Sequence, residues 1–402
     1  MRVLHVNKFL YRRGGAEGYL FDVARLQERA GDVVEFFGMA HTDNDRDLTY
    51  AGDFPSQVDL EPPPPGLRGR AAAAARMIWS TSARDGLRRV LADFRPDVVH
   101  MHNVYHQLSP SVVAACRDAG VPCVMTLHDY KLACPSYQML DRGVPCDACV
   151  TGGPWQAARR SCKDGSRSAS TLLAVESWLH RKLRAYAGVG VFIAPSEFLA
   201  GVMTRAGIEN VRVLRHPVDV DSLAVKERPG GGVVYAGRIA KEKGVDTLIN
   251  AAEIGQFTLD IAGDGPELPH LPTTGATFHG RLPKAELHQL IRGAAVVAVP
   301  SRWYENQPLA VLEAFGCGVP VVGTSLGGLP ELITPGVDGE VVPPDDAVAL
   351  AGALTRTLED LDRAHRMGRA GRGKVERLFG PADHLAGLNA AYAAAGAKVA
   401  VA

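Results

Sequence analysis

Ser301-Arg302-Trp303-Tyr304-Glu305-Asn306-Gln307-Pro308-Leu309-Ala310-Val311-Leu312-Glu313-Ala314-Phe315-Gly316-Cys317-Gly318 follows the apolar run Ala295–Val299. The run reads as a buried strand. The stretch from Pro308 reads as a helix, since proline is tolerated in a first turn, where its missing N–H has no partner anyway. Strand, loop and helix in succession form the unit of a parallel α/β sheet, which binds ligands outside the carboxyl ends of its strands. Glu305 lies in that loop and Glu313 about one turn into the helix. Carboxylates accept hydroxyl hydrogen bonds, and free helix N–H groups favour anions such as phosphate. Taken alone, the pair is equally well explained as two surface carboxylates that suit the helix dipole.

The same alternation runs outward in both directions. Towards the N-terminus, strand-like runs lie at Val3–Val6, Val33–Phe37, Val98–His102, Cys123–His128, Val189–Ala194 and Val211–Leu214. The later set is Val233–Ala236, Thr258–Ala262, Ala276–His279, Ala295–Val299, Pro320–Gly323 and Glu340–Val342. Two sets of about six strands predict two Rossmann-like domains rather than one sheet. The seam falls at Pro217–Gly232, giving domains at 1–222 and 223–380, and the Ala-rich stretch 381–402 follows a Gly380-Pro381 break as a terminal helix. Glu61–Gly69 opens with four prolines and reads as an extended loop before a helix. Residues 132–170 hold four of the seven cysteines, show little periodicity and read as an insertion.

Composition excludes several classes. Hydrophobic residues are 46% and charged residues 22% of 402, ordinary for a globular chain. Lys+Arg and Asp+Glu are 44 each, so no whole-protein basic field points to nucleic acid. No apolar run reaches a membrane-spanning length and no signal-peptide pattern opens the chain, so a cytoplasmic protein is expected.

Three further loops carry chemistry. Val234-Tyr235-Ala236-Gly237-Arg238-Ile239-Ala240-Lys241-Glu242-Lys243-Gly244 runs from a strand into a loop with two cations five residues apart, suited to phosphate. A solvated basic turn is the plainer account, but the loop shares its domain and strand end with the two glutamates. Tyr11-Arg12-Arg13-Gly14-Gly15-Ala16-Glu17-Gly18 places paired glycines before a helix, where backbone amides can approach a phosphate. Thr126-Leu127-His128-Asp129 ends a strand and puts His128 at the same crevice. Ile261-Ala262-Gly263-Asp264-Gly265-Pro266-Glu267 lacks the third glycine of a dinucleotide fingerprint and reads as a tight turn.

Together the Arg238…Lys243 loop, the Glu305-x₇-Glu313 pair, Gly14-Gly15, Thr126–Asp129, Gly327-Gly328-Leu329-Pro330-Glu331 and Asp338-Gly339 resemble the family 4 retaining glycosyltransferases over essentially the whole chain. The resemblance implies the GT-B architecture, with two Rossmann-like domains facing across a cleft and the terminal helix crossing back. It implies a nucleotide-sugar donor, UDP- or GDP-linked, with no cofactor for catalysis. Arg238 and Lys243 would hold the diphosphate, Glu313 the ribose, and Glu305 with Asn306, Gln307 and Leu309 the sugar. Arg281 and Leu282 would lie at the nucleobase, Gly14 and Gly15 at the phosphates, and His128 at the sugar. His128, Arg238, Lys243 and Glu305 are the catalytic candidates. Asn306-Gln307-Pro308 departs from the glycine-containing family pattern and removes one backbone donor. His216 stands where the family usually has Asn.

Other readings use the same residues. A nucleotide-sugar epimerase of the same fold would release a free sugar, and a binding protein would hold the donor without turnover. A peripheral membrane contact is suggested by the basic stretch Arg159–Arg184 with Trp155 and Trp178, and by Leu67–Trp79. The partners expected are a nucleotide sugar and a sugar-containing acceptor built against Gly38–Gly69, Asn103–Ser109 and the cysteine insertion, with oligomeric state open. Cys134-x₁₁-Cys146-x₂-Cys149-x₁₂-Cys162 has the donor set of a structural zinc site, while buried thiols are the simpler account. Cys116, Cys123 and Cys317 read as core.

Overall fold

The computed structural model describes residues 1–45, 47–59, 64–272 and 274–399. The first three residues of the proline-rich loop expected at 61–69 lie outside the described residues, as do the last three of the segment at 381–402.

The N-terminal strands are β1 (Arg2–Val6), β2 (Val33–Phe37), β3 (Val98–Met101), β4 (Cys123–Thr126), β5 (Leu140–Asp141), β6 (Val144–Pro145), β7 (Val191–Ala194) and β8 (Val211–Val213). Six of them form one parallel sheet in the order β2-β1-β3-β4-β7-β8, while β5 and β6 make a separate hairpin. Helices α1 (Gly15–Arg29), α2 (Gly66–Ile78), α3 (Thr81–Phe94), α4 (Ser111–Ala119), α5 (Ala148–Gly152), α6 (Trp155–Arg160), α7 (Arg167–Lys182) and α8 (Glu197–Arg205) surround it. The cysteine-rich insertion is therefore not structureless. Its hairpin and short helices run two to six residues each, too short for periodicity to show.

The second sheet is built from β9 (Val233–Ala236), β10 (Leu259–Ala262), β11 (Thr277–Gly280), β12 (Val296–Val299), β13 (Val321–Thr324) and β14 (Gly339–Val342), ordered β11-β10-β9-β12-β13-β14. That is the doubly wound order, with its switch point between β9 and β12. Every residue of β12 and β13 is buried, as a sheet covered on both faces requires. Its helices are α9 (Val245–Gly255), α10 (Lys284–Gly293), α11 (Leu309–Gly316), α12 (Leu329–Leu332), α13 (Ala347–Glu359) and α14 (Leu361–Leu378).

The last helix, α15 (Pro381–Ala394), returns to the first domain. Leu388, Ala391 and Tyr392 pack with Val3, Tyr19, Val98, Val124 and Ile193 on the face also covered by α1. Further contacts cross between domains. Glu331 accepts the backbone N–H groups of Glu197 (2.9 Å) and Phe198 (2.6 Å), placing a carboxylate at the positive end of α8. Tyr130 donates to the Tyr304 carbonyl at 3.1 Å, and Asn306 Nδ2 to the His128 carbonyl at 3.0 Å. Among the described residues no helix is long and apolar enough to cross a membrane.

Candidate active site

The loops that follow β1, β9 and β12 meet at the two switch points. Gly14 is the extended N-cap of α1, and a Cβ built on Gly15 would lie 4.0 Å from Leu309, the first residue of α11. The N-termini of a helix from each domain thus face each other, both offering unpaired N–H groups.

Lys243 donates to Glu305 Oε1 at 2.6 Å, while Ser301 Oγ donates to the same oxygen. Burial would raise the Glu305 pKa, but the Lys243 charge and these hydrogen bonds outweigh it and hold the group below the usual carboxylate range. Arg238 bonds Glu242 one turn along and is otherwise exposed. Both cations expected at a diphosphate therefore rest on carboxylates. Glycine sets the loop positions. A Cβ on Gly244 (φ +68°) would meet the Pro300 carbonyl at 2.1 Å, and one on Gly328 the Asn306 carbonyl at 2.0 Å. The Gly263–Gly265 turn does more than end a strand. Gly263 abuts the Gly237 carbonyl, and Ile239 N–H bonds the Asp264 carbonyl at 2.8 Å, so the turn braces the Arg238 loop.

Glu313 and Leu309 line a cavity of about 230 Å³ between the domains, together with Arg25 and Arg29 of α1, and Glu313 stands 3.6 Å from His288 Nε2. Arg281 is exposed just beyond β11. Leu282 lines a groove of about 470 Å³ beneath α10 that reaches Gly231 and Gly293. Asn306 keeps a buried Oδ1 with no hydrogen-bond partner among the described residues. Gln307, expected at the donor, instead directs its amide to the His216 backbone, accepting from N–H at 2.7 Å and donating to C=O at 3.1 Å. It clips the interdomain segment in place.

His128 ends a buried polar chain. His384 Nδ1 lies 2.8 Å from the Arg215 carbonyl, which can only accept, so Nδ1 carries the proton. Burial lowers the His384 pKa to about 4, so the ring is neutral and Nε2 accepts from the Tyr19 hydroxyl at 3.1 Å. On the neighbouring strand, Thr126 Oγ1 pairs with His100 Nε2 at 2.7 Å. His100 Nδ1 then accepts from Tyr392 at 2.9 Å, and Tyr392 from Gln27 Nε2 at 2.9 Å. Gln27 Oε1 accepts from His5 Nε2 at 2.7 Å, and His5 Nδ1 from His102 Nε2 at 3.0 Å. Last, His102 Nδ1 accepts from His128 Nε2 at 3.0 Å. Gln27 Oε1 can only accept, so it sets the direction from His5 through His102 to His128. Burial lowers the His128 pKa to about 3, so its Nδ1 is left as a bare lone pair with no partner among the described residues. Sequence reading missed His5, His100 and His102. The alternation His100-x-His102, which puts both rings on one face of a strand, was the available signal. Their ligand atoms lie within 4.8 Å of one another, but each ring nitrogen is already hydrogen-bonded, which makes the trio a relay and not a metal site.

All seven cysteines are free. Cys134, Cys146, Cys149 and Cys162 line one cavity of about 10 Å³, room for a single ion, with Met139 and Asp147 beside it. No three of these sulfurs lie mutually within 4.8 Å, so binding has to draw them inward. The donor set fits zinc. The hairpin tip also reaches the second domain, because a Cβ on Gly143 would lie 3.9 Å from Lys241 Cε.

Residues 13–222 match the family model described as Glycosyltransferase Family 4, and residues 230–360 match Glycosyl transferases group 1. Glycogen synthase of Mycobacterium tuberculosis (strain ATCC 25618 / H37Rv) is 28% identical over 306 residues, 71% of this chain and 66% of that protein. D-inositol 3-phosphate glycosyltransferase 1 of Catenulispora acidiphila is 27% identical over 409 residues, covering 95% and 91%. Sucrose-phosphate synthase from Thermosynechococcus elongatus superposes with a TM-score of 0.68 at 18% identity, covering 98% of each chain. HepE of Anabaena in complex with UDP gives 0.67 at 19%, covering 98% and 100%. These two share the fold, which is the expected GT-B architecture. With more than half its length under one family model, the chain belongs to glycosyltransferase family 4.

Proposed function

We propose that the chain is a retaining glycosyltransferase that moves a sugar from a nucleoside diphosphate to an acceptor hydroxyl. The observation that carries this is the Lys243–Glu305 ion pair at the loop leading into α11, whose first residue Leu309 meets Gly15 of α1. A diphosphate entering there displaces Glu305 from Lys243 and meets amides from both domains. Arg238, released from Glu242, adds the second cation. Glu305 and Asn306 Oδ1 are then free to accept hydroxyls of the sugar, and Glu313 those of the ribose.

In the reaction the bond from the anomeric carbon to the β-phosphate oxygen breaks and the diphosphate leaves with the electron pair. Lys243, Arg238 and the helix amides stabilise the charge that develops, usually the largest catalytic contribution. The acceptor oxygen bonds to the same face of the carbon, and its proton passes to the departing phosphate. No metal is required in this scheme because fixed cations balance the phosphate. His128 Nδ1 is an obligate acceptor and takes a hydrogen bond from a sugar hydroxyl.

The cysteine tetrad would hold a structural zinc through Cys134, Cys146, Cys149 and Cys162, tying the hairpin that reaches Lys241 to α5. Zinc there would stiffen a contact between domains and take no part in the chemistry.

The test is a thermal-shift screen with UDP-, GDP-, ADP- and dTDP-sugars, followed by acceptor-dependent release of the nucleotide that binds. Release of free sugar without acceptor would favour the epimerase. Binding without turnover would favour a binding protein.

A further inference from the structure

A separate cavity of about 750 Å³ opens in the N-terminal domain between α2, α7 and the loops after β1 and β3. Two chemistries line it. Val58, Ala73, Met77, Leu172 and Leu173 make one wall apolar, and Lys8, Arg13 and Arg70 supply cations. Its carboxylates are already engaged. Asp59 accepts from Gln57 at 2.9 Å, Asp164 pairs with Lys163 at 3.1 Å, and Asp129 accepts from the Tyr105 hydroxyl and from Lys131 N–H at 2.9 Å.

The cations differ. Among the described residues, Lys8, Arg13 and Arg70 have no side-chain hydrogen bond and no ion pair. Lys8 Nζ lies 5.1 Å from the Tyr105 ring and 5.8 Å from the Phe9 ring, and the Arg13 guanidinium is 4.6 Å from that same Phe9 ring. Two cations thus share one aromatic side chain. Burial pushes the Lys8 pKa down while the charges of Asp129 and Glu17 resist it. An ammonium removed from water without a hydrogen-bonded partner is costly, and a bound anion offsets that cost. The helix α7 opens onto the same wall with Ser166 as its cap.

Resting on the glycosyltransferase reading, we propose that this cavity is the acceptor site and takes an amphiphile. A phosphate or diphosphate that joins a hydroxyl-bearing sugar to a hydrocarbon sits on Lys8, Arg13 and Arg70, with the hydrocarbon against Met77, Ala73 and Leu173 and the accepting hydroxyl on the sugar facing the donor. Arg13 precedes Gly14 and Asp129 follows His128, so the phosphate end adjoins the donor cleft. The hydrocarbon has a path outward, because α2 also carries Leu67, 86% exposed, and α7 carries Trp178, 40% exposed. A water-soluble phosphorylated sugar would leave the apolar wall uncovered.

The test titrates the whole protein calorimetrically with geranyl diphosphate, inorganic pyrophosphate and geraniol, with the nucleoside diphosphate from the donor screen saturating. Geranyl diphosphate is expected to bind about tenfold tighter than either fragment. Lys8→Gln should weaken it about tenfold while nucleoside diphosphate binding is unchanged, and Arg70→Gln, at an exposed position, repeats the test without risk to folding. Met77→Gln should weaken geranyl diphosphate and leave pyrophosphate alone. Equal affinity for pyrophosphate and geranyl diphosphate means a free-phosphate site and overturns the amphiphile. So does insensitivity to both Lys8→Gln and Arg70→Gln, or displacement by the nucleoside diphosphate. If no nucleoside diphosphate binds, the transferase reading fails instead, and the titrations without it still decide the cavity.

Discussion

His128 donates from Nε2 to His102 Nδ1 across 3.0 Å, and that bond determines which nitrogen His128 presents to the cleft. His102 is fully buried and shares no contact with the expected donor, so it acts as a positioning residue. His102→Phe should cut kcat/KM for the sugar donor by roughly 10- to 100-fold, the range of one buried N–H left unsatisfied. Affinity for the free nucleoside diphosphate should stay within about twofold, since the phosphates do not meet His128. Equal losses in both measurements would mean general damage to the fold.

Arg238 is 56% exposed and anchored by one surface ion pair, so its removal should barely alter thermal stability. Arg238→Ala should lower turnover by roughly 10²–10³ if the guanidinium meets the developing phosphate charge. Activity within a few-fold of the parent would place the diphosphate elsewhere.

The two glutamates should separate by ligand. Glu313→Ala should weaken donor and nucleoside diphosphate alike, whereas Glu305→Gln should weaken the intact donor while the diphosphate binds at least as tightly, because no carboxylate competes for Lys243. Parallel titrations of both ligands against both variants check the assignment, and matching losses throughout would reject it.

Acid should destabilise this fold earlier than a carboxylate-limited one. Burial lowers the pKa of His5 and of His384 from 6.5 to about 4. The unfolded chain therefore binds more protons between those values, and stability falls as the pH drops from about 6.5 towards 4. Each histidine contributes about 1.4 kcal/mol per pH unit across that window. Thermal melts should show a level Tm above pH 7 and a steep decline below 6.5. A flat profile down to pH 5 would contradict neutral buried rings.

Protein purified without chelator should contain about one zinc per chain by elemental analysis, and Cys146→Ser should lose it along with stability of the insertion. Metal-free protein of full stability and activity would end the proposal.

Each of the twelve apolar runs read from the sequence coincides with a strand of the structure; the central strands are buried and written as apolar runs, whereas the edge strands β2, β8 and β11 are only partly buried. The loops at their carboxyl ends were equally legible, since glycine, Arg238, Lys243, Glu305 and Glu313 follow them directly. Side-chain direction was not. Gln307 stands beside Glu305 in the chain yet bonds the backbone of His216, 91 residues earlier, and no local pattern announces that partner. The polar chain was hidden for the same reason. Its members come from α1, three strands, the interdomain segment and α15, and each looks like an isolated polar residue until the sheet stacks them.

Tyr19 and His384 are bonded across 365 residues of sequence. At a synthesis rate of about 5–20 residues per second, the ribosome needs roughly 20–70 s to deliver the second after the first. In that interval both Rossmann sheets can form, but Tyr392 is still missing between Gln27 and His100, so the Gln27 amide that directs the chain to His128 is not yet held. The nascent enzyme would thus hold a complete set of phosphate-binding loops before its histidine has a defined tautomer. Competence would arrive with α15, so an unfinished chain could capture a nucleotide sugar without being ready to transfer it.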